Sequence, residues 1–554
     1  MRQLKLTSLA AFSAALFSQS VTAAVYNVTE IDTYRSVVSA IPIALNEAGA
    51  VAVTGEFPYN PKIDLELIDF EAEFWQDNLT DIDSAQNGNF NADDLSFIVN
   101  YLRSQEASKL VQRVAVDASY LWENTTLNQI HGLDQVDATF GDFSGSTDTF
   151  VNNINDSGVT VGRSEGVFSK LEYTNEEGTE LTYVVQEYST RAFVDLNGTV
   201  VGLVSESDLG GGFSEAMDIT NGLLVAGYEV IEPTDVLQEL INESCTDDEI
   251  RGDQPVEVCI QTQLDAGINF SHQIRGVMWQ LDQSGNVIDK QQFGLPFTVA
   301  EDDTSLYNST INAVNENAIG VGYATNFFDD NESIPRIYAA IFEGETVTSI
   351  TDRSEYIDSL ASDINEQNIA VGYASKQING FTRTKFFIHD VTSDVTTFPD
   401  DYFPGSSSVA RAINNDGMVV GEGEVDSDLT NTRRRNAFIY DINNDSFQNL
   451  NDLIACNSPY NLVQAYDIND AGQIIATALI ERNTLDIKAE EIVNDDGTNE
   501  ASEMIVSVIL DPIAGGEIES CDPPAEEVQE RNSGSMGWGL FAIAALFGLR
   551  RRMR

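Results

Sequence analysis

Residues 412–453 read AINNDGMVVGEGEVDSDLTNTRRRNAFIYDINNDSFQNLNDL, and this stretch decides the fold class. It contains a short apolar segment, an Asn-Asn-Asp-Gly turn, a second apolar segment at 418–421, a polar loop, an aromatic segment at 437–441 and a last short segment at 447–453. Short apolar runs that are joined by tight turn residues predict antiparallel strands. The stretch therefore predicts one four-stranded β-sheet.

The first strand and turn of this unit recur along the chain. The copies share an aliphatic residue just before the turn, which we call the marker: Leu45, Ile154, Ile219, Val314, Ile364, Ile413 and Ile468. The last four markers are separated by 50, 49 and 55 residues, so the basic period is near fifty. Each copy places Asn, Asp or Gly where a tight hairpin is expected to need a positive φ. Small and β-branched residues then lead into a Gly.

One such unit cannot bury both of its faces, so the units must stack on one another. Radial stacking of four-stranded units gives a mainly β fold, a β-propeller. The markers predict seven blades, with six or eight as alternatives, over residues 25–521. Residues 25–32 form a predicted strand that pairs with 504–510 and closes the ring. Aromatic third strands are expected at segments such as 336–342, 385–390 and 437–441.

Three segments interrupt the repeat. Apolar spacing in 92–110 and 114–122 predicts a helical insertion or lid at about 57–134. A second insertion, at about 232–269, carries two of the cysteines. The third segment, 482–503, is polar and predicts a long loop.

The cysteines Cys245, Cys259, Cys456 and Cys521 allow three disulfide pairings. We expect Cys245–Cys259, which closes the acidic insertion, and Cys456–Cys521, which ties the segment before the last repeat to the end of the domain. Paired cysteines are typical of an oxidising compartment. The alternative, a metal–thiolate site, lacks a Cys-x-x-Cys motif and has only three histidines in the whole chain to draw on.

Both ends of the chain indicate export. Residues 1–24 have two early cations, an apolar run and Val-Thr-Ala-Ala, which predicts a signal peptide that signal peptidase removes. Residues 522–535 predict a flexible acidic linker. Residues 536–554 combine an apolar run that is short for a membrane span with a terminal arginine cluster.

Two resemblances follow from these residues. The pattern DLGGGFSEAMDITNGLLVAGYE at 208–229, with RNAFIYD at 435–441, resembles the extracellular HAF repeat, in which Arg191 and Asn436 here replace the His. The chain also resembles a family of secreted Gram-negative proteins of unknown function that carry such repeats before a C-terminal sorting tail. That family offers no catalytic residues.

The C-terminal tail resembles a GlyGly-type sorting signal through Gly534, Gly537 and Trp538 and through Arg550, Arg551 and Arg552. The resemblance implies cleavage by a rhomboid-like protease and passage through type II secretion machinery to the cell surface. The alternative is a permanent tail anchor in the inner membrane. The expected location is therefore the periplasm or the cell surface, with a transient or permanent anchor.

The formal net charge of −60 excludes nucleic acid as a partner, since such a surface repels phosphate backbones. Within this acidic chain, Arg433, Arg434 and Arg435 form a basic island. The simplest interpretation is a solvated loop that balances nearby acids. The alternative is a grip on an anionic partner such as a surface polysaccharide.

One constellation predicts a metal site. Asp83, Asn87, Asn91 and Asp94 occupy positions 1, 5, 9 and 12 of a loop that resembles a calcium loop of the EF-hand or dockerin kind, with Gly88 at the sharp turn. Ala85 removes the ligand at position 3, and position 12 is Asp rather than Glu. The alternative is that these residues only make a turn and cap the following helix.

These observations predict a secreted binding or scaffold module of the cell envelope that is not an enzyme, with a polysaccharide or protein partner. The alternative is an extracellular hydrolase of glycans with its site at the axial mouth of the propeller. A pair of acids with one raised and one lowered pKa at that mouth would favour the enzyme. A mouth that is lined by scattered Asn and Asp would favour binding.

Overall fold

The structure, a computed structural model, describes residues 24–105, 107–207, 212–267, 272–300, 302–428 and 432–521. Within these residues seven four-stranded antiparallel sheets form a ring, and the innermost strand of each sheet contacts the innermost strands of both neighbours. The fold is a β-propeller with seven blades. The predicted fold class and blade number are confirmed. Most of the predicted signal peptide, the acidic linker and the sorting tail lie outside the described residues.

The strands are given from the innermost to the outermost of each blade. Blade 1 has Val37–Leu45, Val51–Pro58, Asp117–Glu123 and Thr126–Ile130; blade 2 has Thr149–Ile154, Thr160–Glu165, Thr190–Asp195 and Val200–Leu203; blade 3 has Ser214–Ile219, Leu224–Pro233, His272–Leu281 and Val287–Gln292; blade 4 has Ser309–Val314, Gly320–Phe327, Pro335–Glu343 and Thr346–Ser349. Blade 5 has Asp358–Ile364, Ile369–Ile378, Phe381–Asp390 and Val395–Thr397; blade 6 has Ser408–Ile413, Met418–Glu424, Arg435–Asp441 and Ser446–Asn449; blade 7 has Asn461–Ile468, Ile474–Asn483, Ala501–Pro512 and Tyr26–Glu30.

Blade 7 is built from both ends of the domain. Its outermost strand is Tyr26–Glu30, which pairs antiparallel with Ala501–Pro512 from Tyr26 opposite Pro512 to Glu30 opposite Val508. The predicted ring closure is therefore confirmed. A closed ring leaves no blade without a neighbour on either side, so every blade can bury both faces.

The blades pack through apolar side chains between their faces. Third strands supply the largest fully buried aromatic residues, as the sequence predicts: Phe193, Trp279, Tyr338, Phe342, Phe386, Phe387 and Phe438. Between blades 2 and 3, for example, Val161 and Ala192 pack with Val225 and Trp279. Burial of such side chains is the main driving force for stacking the blades.

The Gly in the second strand of five of the seven blades has a steric cause. In blade 6 the register shifts between Ala410 and Ala412, so the innermost strand bulges at Arg411. A Cβ on Gly421 of the next strand would then lie 2.0 Å from the carbonyl oxygen of Val409. Only Gly allows this approach. The same contact explains Gly162, Gly227, Gly322 and Gly372.

The insertions all lie between the second and third strands of a blade. In blade 1 the insertion contains the 3-10 helix Leu65–Leu67 and the helices Glu73–Asn78, Ile82–Ala85 and Ala92–Ser104. The helical insertion is present, but it ends earlier than predicted. The segment 114–122, for which a helix is expected, contains the blade strand Asp117–Glu123. The strand is covered on both faces, so its Ala118, Ser119 and Tyr120 are all buried. Apolar and polar residues therefore do not alternate along it, and the sequence lacks the pattern that would predict a strand.

Blade 2 carries an unpredicted hairpin, Phe168–Thr174 and Glu180–Gln186, and blade 3 carries the helices Asp235–Ser244, Asp248–Arg251 and Val256–Gly267. Blade 7 carries the loop 484–500, within the segment that predicts a long loop. The remaining elements are the short pair Val136–Asp137 and Asp142–Phe143 and the 3-10 helices Phe328–Asp330 and Leu450–Asp452. Among the described residues, no helix combines the length and apolar character that a membrane crossing requires.

Candidate functional site

The turns between the first and second strands meet around the axis at one end of the propeller, which we call the turn face. In blade 6, Asn414 Oδ1 accepts hydrogen bonds from the backbone N–H groups of Asp416 (3.2 Å) and Met418 (2.9 Å). Its Nδ2 donates to the carbonyl oxygen of Asn469 in blade 7 (3.0 Å). One side chain thus shapes its own turn and fastens it to the next blade.

The same Asn recurs in six blades. Asn46, Asn155, Asn315, Asn365, Asn414 and Asn469 each donate to the carbonyl oxygen at the matching position of the following blade, at 3.0 to 3.2 Å. Blade 3 has Thr220 instead, whose Oγ1 accepts from its own turn at Leu224 N (3.3 Å). The positive φ that we expect in this turn falls three residues later, at Gly417 (78°) in blade 6. The hydrogen bonds of its amide, rather than a positive φ, therefore explain why Asn recurs at this position.

A second ring is formed by the exposed side chain that follows each of these positions. Its members are Glu47, Asp156, Asn221, Glu316, Glu366, Asn415 and Asp470. Each side-chain oxygen accepts a backbone N–H from the turn of the preceding blade, at 2.8 to 3.1 Å. The ring encloses a cavity of about 300 Å³ whose lining includes no Lys, Arg or His. We call it the turn-face mouth.

Beneath the mouth, three aspartates bridge neighbouring blades. Asp363 accepts the N–H of its own marker, Ile364 (2.7 Å), and that of the next marker, Ile413 (2.8 Å). Asp218 and Asp467 do the same for the markers of blades 3 and 4 and of blades 7 and 1. Asn153 serves the seventh marker and donates to Asp218 (2.5 Å). Each aspartate accepts the N–H groups of two markers, so the three aspartates account for six of the seven markers. The seventh marker, Ile154, bonds to Asn153 instead.

The bridging carboxyl groups lie on the innermost strands, where Asp218 is buried and Asp363 and Asp467 are half-buried. Burial raises the pKa of Asp218 to about 7, that of Asp363 to about 6 and that of Asp467 to about 7. The Asp363 carboxylate adds to the shift of the other two. The hydrogen bonds from the marker N–H groups act in the opposite direction and limit the rise in each pKa.

The opposite end of the propeller carries the insertions, because the connections between strands 1–2 and 2–3 of an antiparallel blade lie at opposite ends. Blades 7, 1, 2 and 3 are neighbours in the ring, and their insertions touch one another. Asn60 of the blade 1 insertion donates from its backbone N–H to Ile487 O (2.9 Å) and from its side chain to Lys488 O (3.1 Å) of the blade 7 loop. Lys488 Nζ donates in turn to Phe90 O (3.0 Å).

The chain of contacts continues through the blade 2 hairpin. Lys170 of the hairpin is 2.8 Å from Asp64 and 2.9 Å from Glu66 of the blade 1 insertion. On the other side of the hairpin, Tyr173 Oη donates to Asp253 of the blade 3 insertion (2.7 Å). Lys109 of the blade 1 insertion also pairs with Asp265 of blade 3. The four insertions therefore form one continuous layer, which we call the insertion platform.

An acid cluster lies at the junction of blades 1 and 2, next to the platform. Asp148 Oδ1 accepts from the backbone N–H groups of Val116 (2.7 Å) and Asp117 (3.0 Å), and Asp148 N donates to Glu165 Oε2 (3.0 Å). Burial first, and then the Asp148 carboxylate, raise the pKa of Glu165 to about 8. Burial and the same neighbour raise the pKa of Asp117 to about 6. Sequence reasoning missed this cluster because its members come from three separate segments.

The family model described as "Protein of unknown function (DUF3466)" matches residues 1–552. The chain belongs to this family. No curated protein is similar to it in sequence at a significant level.

Several solved structures align with parts of this chain at low similarity. A putative TolB from Agrobacterium tumefaciens has a TM-score of 0.24 and 10% identity, with 42% of this chain and 78% of that chain covered. A puromycin-hydrolysing peptidase from Mycobacterium tuberculosis has a TM-score of 0.32 and 9% identity, covering 70% and 47%. An ancestral GH74 enzyme has a TM-score of 0.28 and 11% identity, covering 73% and 56%. At these TM-scores none of the three informs the function of this DUF3466 protein.

The predicted calcium loop lies in the blade 1 insertion, before the helix Ala92–Ser104. Asn91 caps this helix, since its Oδ1 accepts from Asp94 N (2.8 Å). The buried Asp94 carboxylate accepts from the backbone N–H groups of Thr80 (2.7 Å) and Asp81 (3.0 Å). Asn87 Nδ2 donates to the backbone oxygen of Asp83 (2.8 Å). These contacts match the turn-and-cap alternative, and calcium binding stays a prediction.

Both expected disulfides are present. Cys245 is bonded to Cys259, which joins two helices of the blade 3 insertion, and Cys456 is bonded to Cys521. The second bond holds the end of the described chain near the closing strand of blade 7, where Val25 N donates to Leu453 O (2.8 Å). Each disulfide thus fixes a segment that is peripheral to the repeat.

The basic island is paired internally. Arg433 contacts Glu424 (2.5 Å), Arg434 contacts Asp426 (2.8 Å) and Arg435 contacts Glu422 (3.5 Å). Glu422 and Glu424 lie on the strand Met418–Glu424, which pairs with the strand Arg435–Asp441, and Asp426 lies just after the first of these strands. The island therefore balances nearby acids, as the simpler interpretation has it. The sorting residues Gly534, Gly537, Trp538, Arg550, Arg551 and Arg552 lie outside the described residues.

Proposed function

We propose that this DUF3466 protein is a non-enzymatic binding module of the cell envelope whose binding surface is the insertion platform. The observation that carries the proposal is the continuous layer of four neighbouring insertions on one end of a rigid ring. Segments of this kind on a rigid scaffold are where proteins commonly place binding residues. The partner that we propose is an envelope polysaccharide or an envelope protein.

Blade 5 supports the assignment of the platform to binding. Its second and third strands are joined by the two-residue turn Asn379-Gly380, with Ile378 directly opposite Phe381. Both turn residues have a positive φ, as the favoured two-residue hairpin requires. A blade of this propeller can therefore close without an insertion, and the insertions of blades 7, 1, 2 and 3 add surface that the ring itself does not need.

The turn-face mouth supports the same proposal. All seven of its side chains hold the turn of a neighbouring blade, and they are a mixture of Asn, Asp and Glu around the ring. This mixture speaks against a catalytic acid pair at the mouth, and because each side chain is occupied in holding a turn, we assign the mouth a structural role and the platform the binding role. Apart from the three bridging aspartates, the carboxyl groups with raised pKa values among the described residues are Asp117 and Glu165, which lie next to the platform instead.

The proposed route to the envelope uses both ends of the chain. The two disulfides are typical of an oxidising compartment outside the cytoplasm. We propose removal of residues 1–24 by signal peptidase and recognition of the GlyGly-type tail by a rhomboid-like protease, followed by type II secretion. The HAF-type repeats belong to the same proposal. Expression of the full chain in a Gram-negative host, with and without Arg550–Arg552 replaced by Ala, tests it by mass spectrometry of the surface and inner-membrane fractions.

Platform variants test the binding function. Asn483 lies directly opposite Ala501 and Glu165 directly opposite Thr190, so an Asn-Gly turn can replace 484–500 or 166–189 without disturbing either blade. We expect the exported wild-type chain to bind purified surface polysaccharide or outer-membrane vesicles and both variants to lose this binding. The control is Glu316→Gln at the turn-face mouth. Full binding by both platform variants, or loss in the control alone, would contradict the proposal.

One observation favours a second candidate, a hydrolase of glycans. A carboxyl group with a pKa of about 8 is protonated at neutral pH, so Glu165 has the state of a general acid, with Arg113 3.9 Å from its carboxyl group. Its site would be at the junction of blades 1 and 2. Release of reducing ends from an envelope polysaccharide by the wild type, and its loss in Glu165→Gln, would support the hydrolase over the binding module.

A further inference from the structure

A second cavity, of about 220 Å³, lies at the outer part of blade 1, where the chain passes to blade 2, beside the first residues of the blade 1 insertion. Its walls come from the third and fourth strands of blade 1, from the connection between blades 1 and 2, and from residues 58–62. We call it the junction cavity. It is smaller than the ~300–1,000 Å³ of pockets that hold drug-sized ligands, so its size suits about one sugar ring.

One wall of the junction cavity is flat and aromatic. The imidazole of His131 stacks on the ring of Phe143, with centroids 3.6 Å apart and an angle of 6° between the planes. Burial lowers the pKa of His131, which favours the neutral ring. A flat, uncharged ring pair gives an apolar face with polar edges, against which the C–H face of a small ring can pack.

A buried hydroxyl in the lining lacks a protein partner. Thr147 lines the cavity and is 5% exposed, and its Oγ1 has no hydrogen-bond partner among the described residues. The neighbouring Ser144 hydroxyl, in contrast, donates to Asp134 Oδ1 (2.8 Å). Buried hydroxyls in native proteins are nearly always paired, so an unpaired one beside a cavity is a group that a bound hydroxyl can satisfy.

The charges around the cavity are largely compensated. Lys62 Nζ is held by Asp142 Oδ2 (3.0 Å) and by Phe143 O (2.6 Å). The Asp134 carboxylate is occupied by Ser144 and by the backbone N–H of Gly145 (3.1 Å). Asp117 has a raised pKa because it is buried near Asp148 and Glu56. The site therefore favours a neutral ligand with hydroxyl groups over an ion.

We propose that the junction cavity binds a neutral, polyhydroxylated ligand the size of a single sugar ring. The ring packs on the His131–Phe143 stack, and one of its hydroxyls pairs with the hydroxyl of Thr147. The ligand is either a free monosaccharide or the terminal residue of a glycan chain, since both present the same chemistry. The site does not depend on the platform as the binding surface for an envelope partner.

The test uses the full exported chain and saturation-transfer NMR at millimolar ligand. The probes are free hexoses, free N-acetylhexosamines, oligosaccharides that end in the same sugars, and putrescine as a small amine. We expect at least one sugar to bind. Equal affinity for the free sugar and the oligosaccharide identifies a terminal residue as an acceptable ligand, and binding of the free sugar alone identifies a monosaccharide site. Binding of putrescine alone, or of no probe, overturns the proposal.

Two variants locate the site. Thr147→Val keeps the shape of the side chain and removes only the hydroxyl, so we expect about a tenfold weaker sugar affinity with an unchanged or higher unfolding midpoint. Thr384→Val is the matched control, because its Oγ1 is also buried without a partner but lies in blade 5, away from the cavity. His131→Phe should retain the packing, whereas His131→Ala should lose it. Unchanged affinity in both Thr147→Val and His131→Ala overturns the assignment to this cavity.

Discussion

The connections at the two ends of the propeller differ in how much their length and chemistry vary from blade to blade. At the turn face, every turn has nearly the same length and chemistry, because each must fit the turn of the next blade through the Asn amide and the following oxygen. At the insertion face, the connection is two residues in blade 5 and a long insertion in blade 3. A turn that is fastened on both sides cannot vary, whereas a connection that the ring does not use can grow.

The comparison also separates stability from function. The residues that recur from blade to blade hold the ring together, and most of them are buried or hydrogen-bonded to a neighbouring blade. The segments that differ from blade to blade carry the platform, the junction cavity and the Glu165 cluster. In a repeat protein of this kind, the segments that differ from one blade to the next are therefore the first candidates for functional sites.

The largest effect is expected from opening the ring. Removal of residues 24–32 takes away the outermost strand of blade 7 and the buried Ile31, and should abolish cooperative thermal unfolding, as measured by circular dichroism. The matched change at the insertion face, an Asn-Gly turn in place of 484–500, removes more residues but should cost no more than about 2 kcal/mol. Equal losses of stability would contradict the distinction between segments that the ring needs and insertions that it does not.

A single amide at the turn face should have the next largest effect. Asn414→Ala removes two hydrogen bonds within the turn and one to Asn469, all of them buried or half-buried, so we expect a loss of about 2–4 kcal/mol in urea unfolding. Asn415→Ala changes the neighbouring, exposed residue and should cost less than about 1 kcal/mol. A reversed order would show that the exposed ring, rather than the buried amide, fastens the blades.

The blade 1 insertion offers a comparison of two aspartates in one loop. Asp94→Ala removes a buried carboxylate that accepts several hydrogen bonds and should cost about 2 kcal/mol, whereas the exposed Asp83 should contribute less than about 0.5 kcal/mol without metal. Thermal unfolding with calcium and with chelator completes the test. A midpoint that rises with calcium in the wild type but not in Asp83→Ala would support the metal site, and overlapping curves would leave only the helix cap.

The bridging aspartates predict a smaller effect of pH. Burial raises the pKa of Asp363 to about 6 in the folded state, whereas the unfolded chain releases this proton near the ordinary Asp pKa of 3.8. Folding is therefore favoured at low pH, and this contribution is lost as the pH rises from about 4 to about 6. Asp363→Ala copies the residue of blades 4 and 6, and should make the fall in unfolding free energy over this window shallower by about 1–2 kcal/mol. A steeper fall in the variant would contradict the raised pKa.

Much of the ring could be predicted from the chain alone. The markers repeat at a regular spacing, and the strand at residues 25–32 has no partner unless the ring closes. The segment 114–122 gives no strand signal because a strand that is buried on both faces lacks a period of two, and nothing but a longer spacing between markers indicates the blade 2 hairpin. The sequence predicts the recurring Asn as a turn residue, but its amide contact depends on the neighbouring blade, some fifty residues away in sequence.

The sequence by itself determined the repeat unit, the closed ring and the presence of insertions, because each of these rests on local periodicity or turn chemistry, and the four cysteines limited the disulfides to three possible pairings. Only the tertiary structure decided which insertions touch, and it alone brought Glu165 to Asp148 and enclosed Thr147 beside His131 and Phe143. Those sites join segments from different blades and connections, and no local pattern of residues records which segments the ring places side by side.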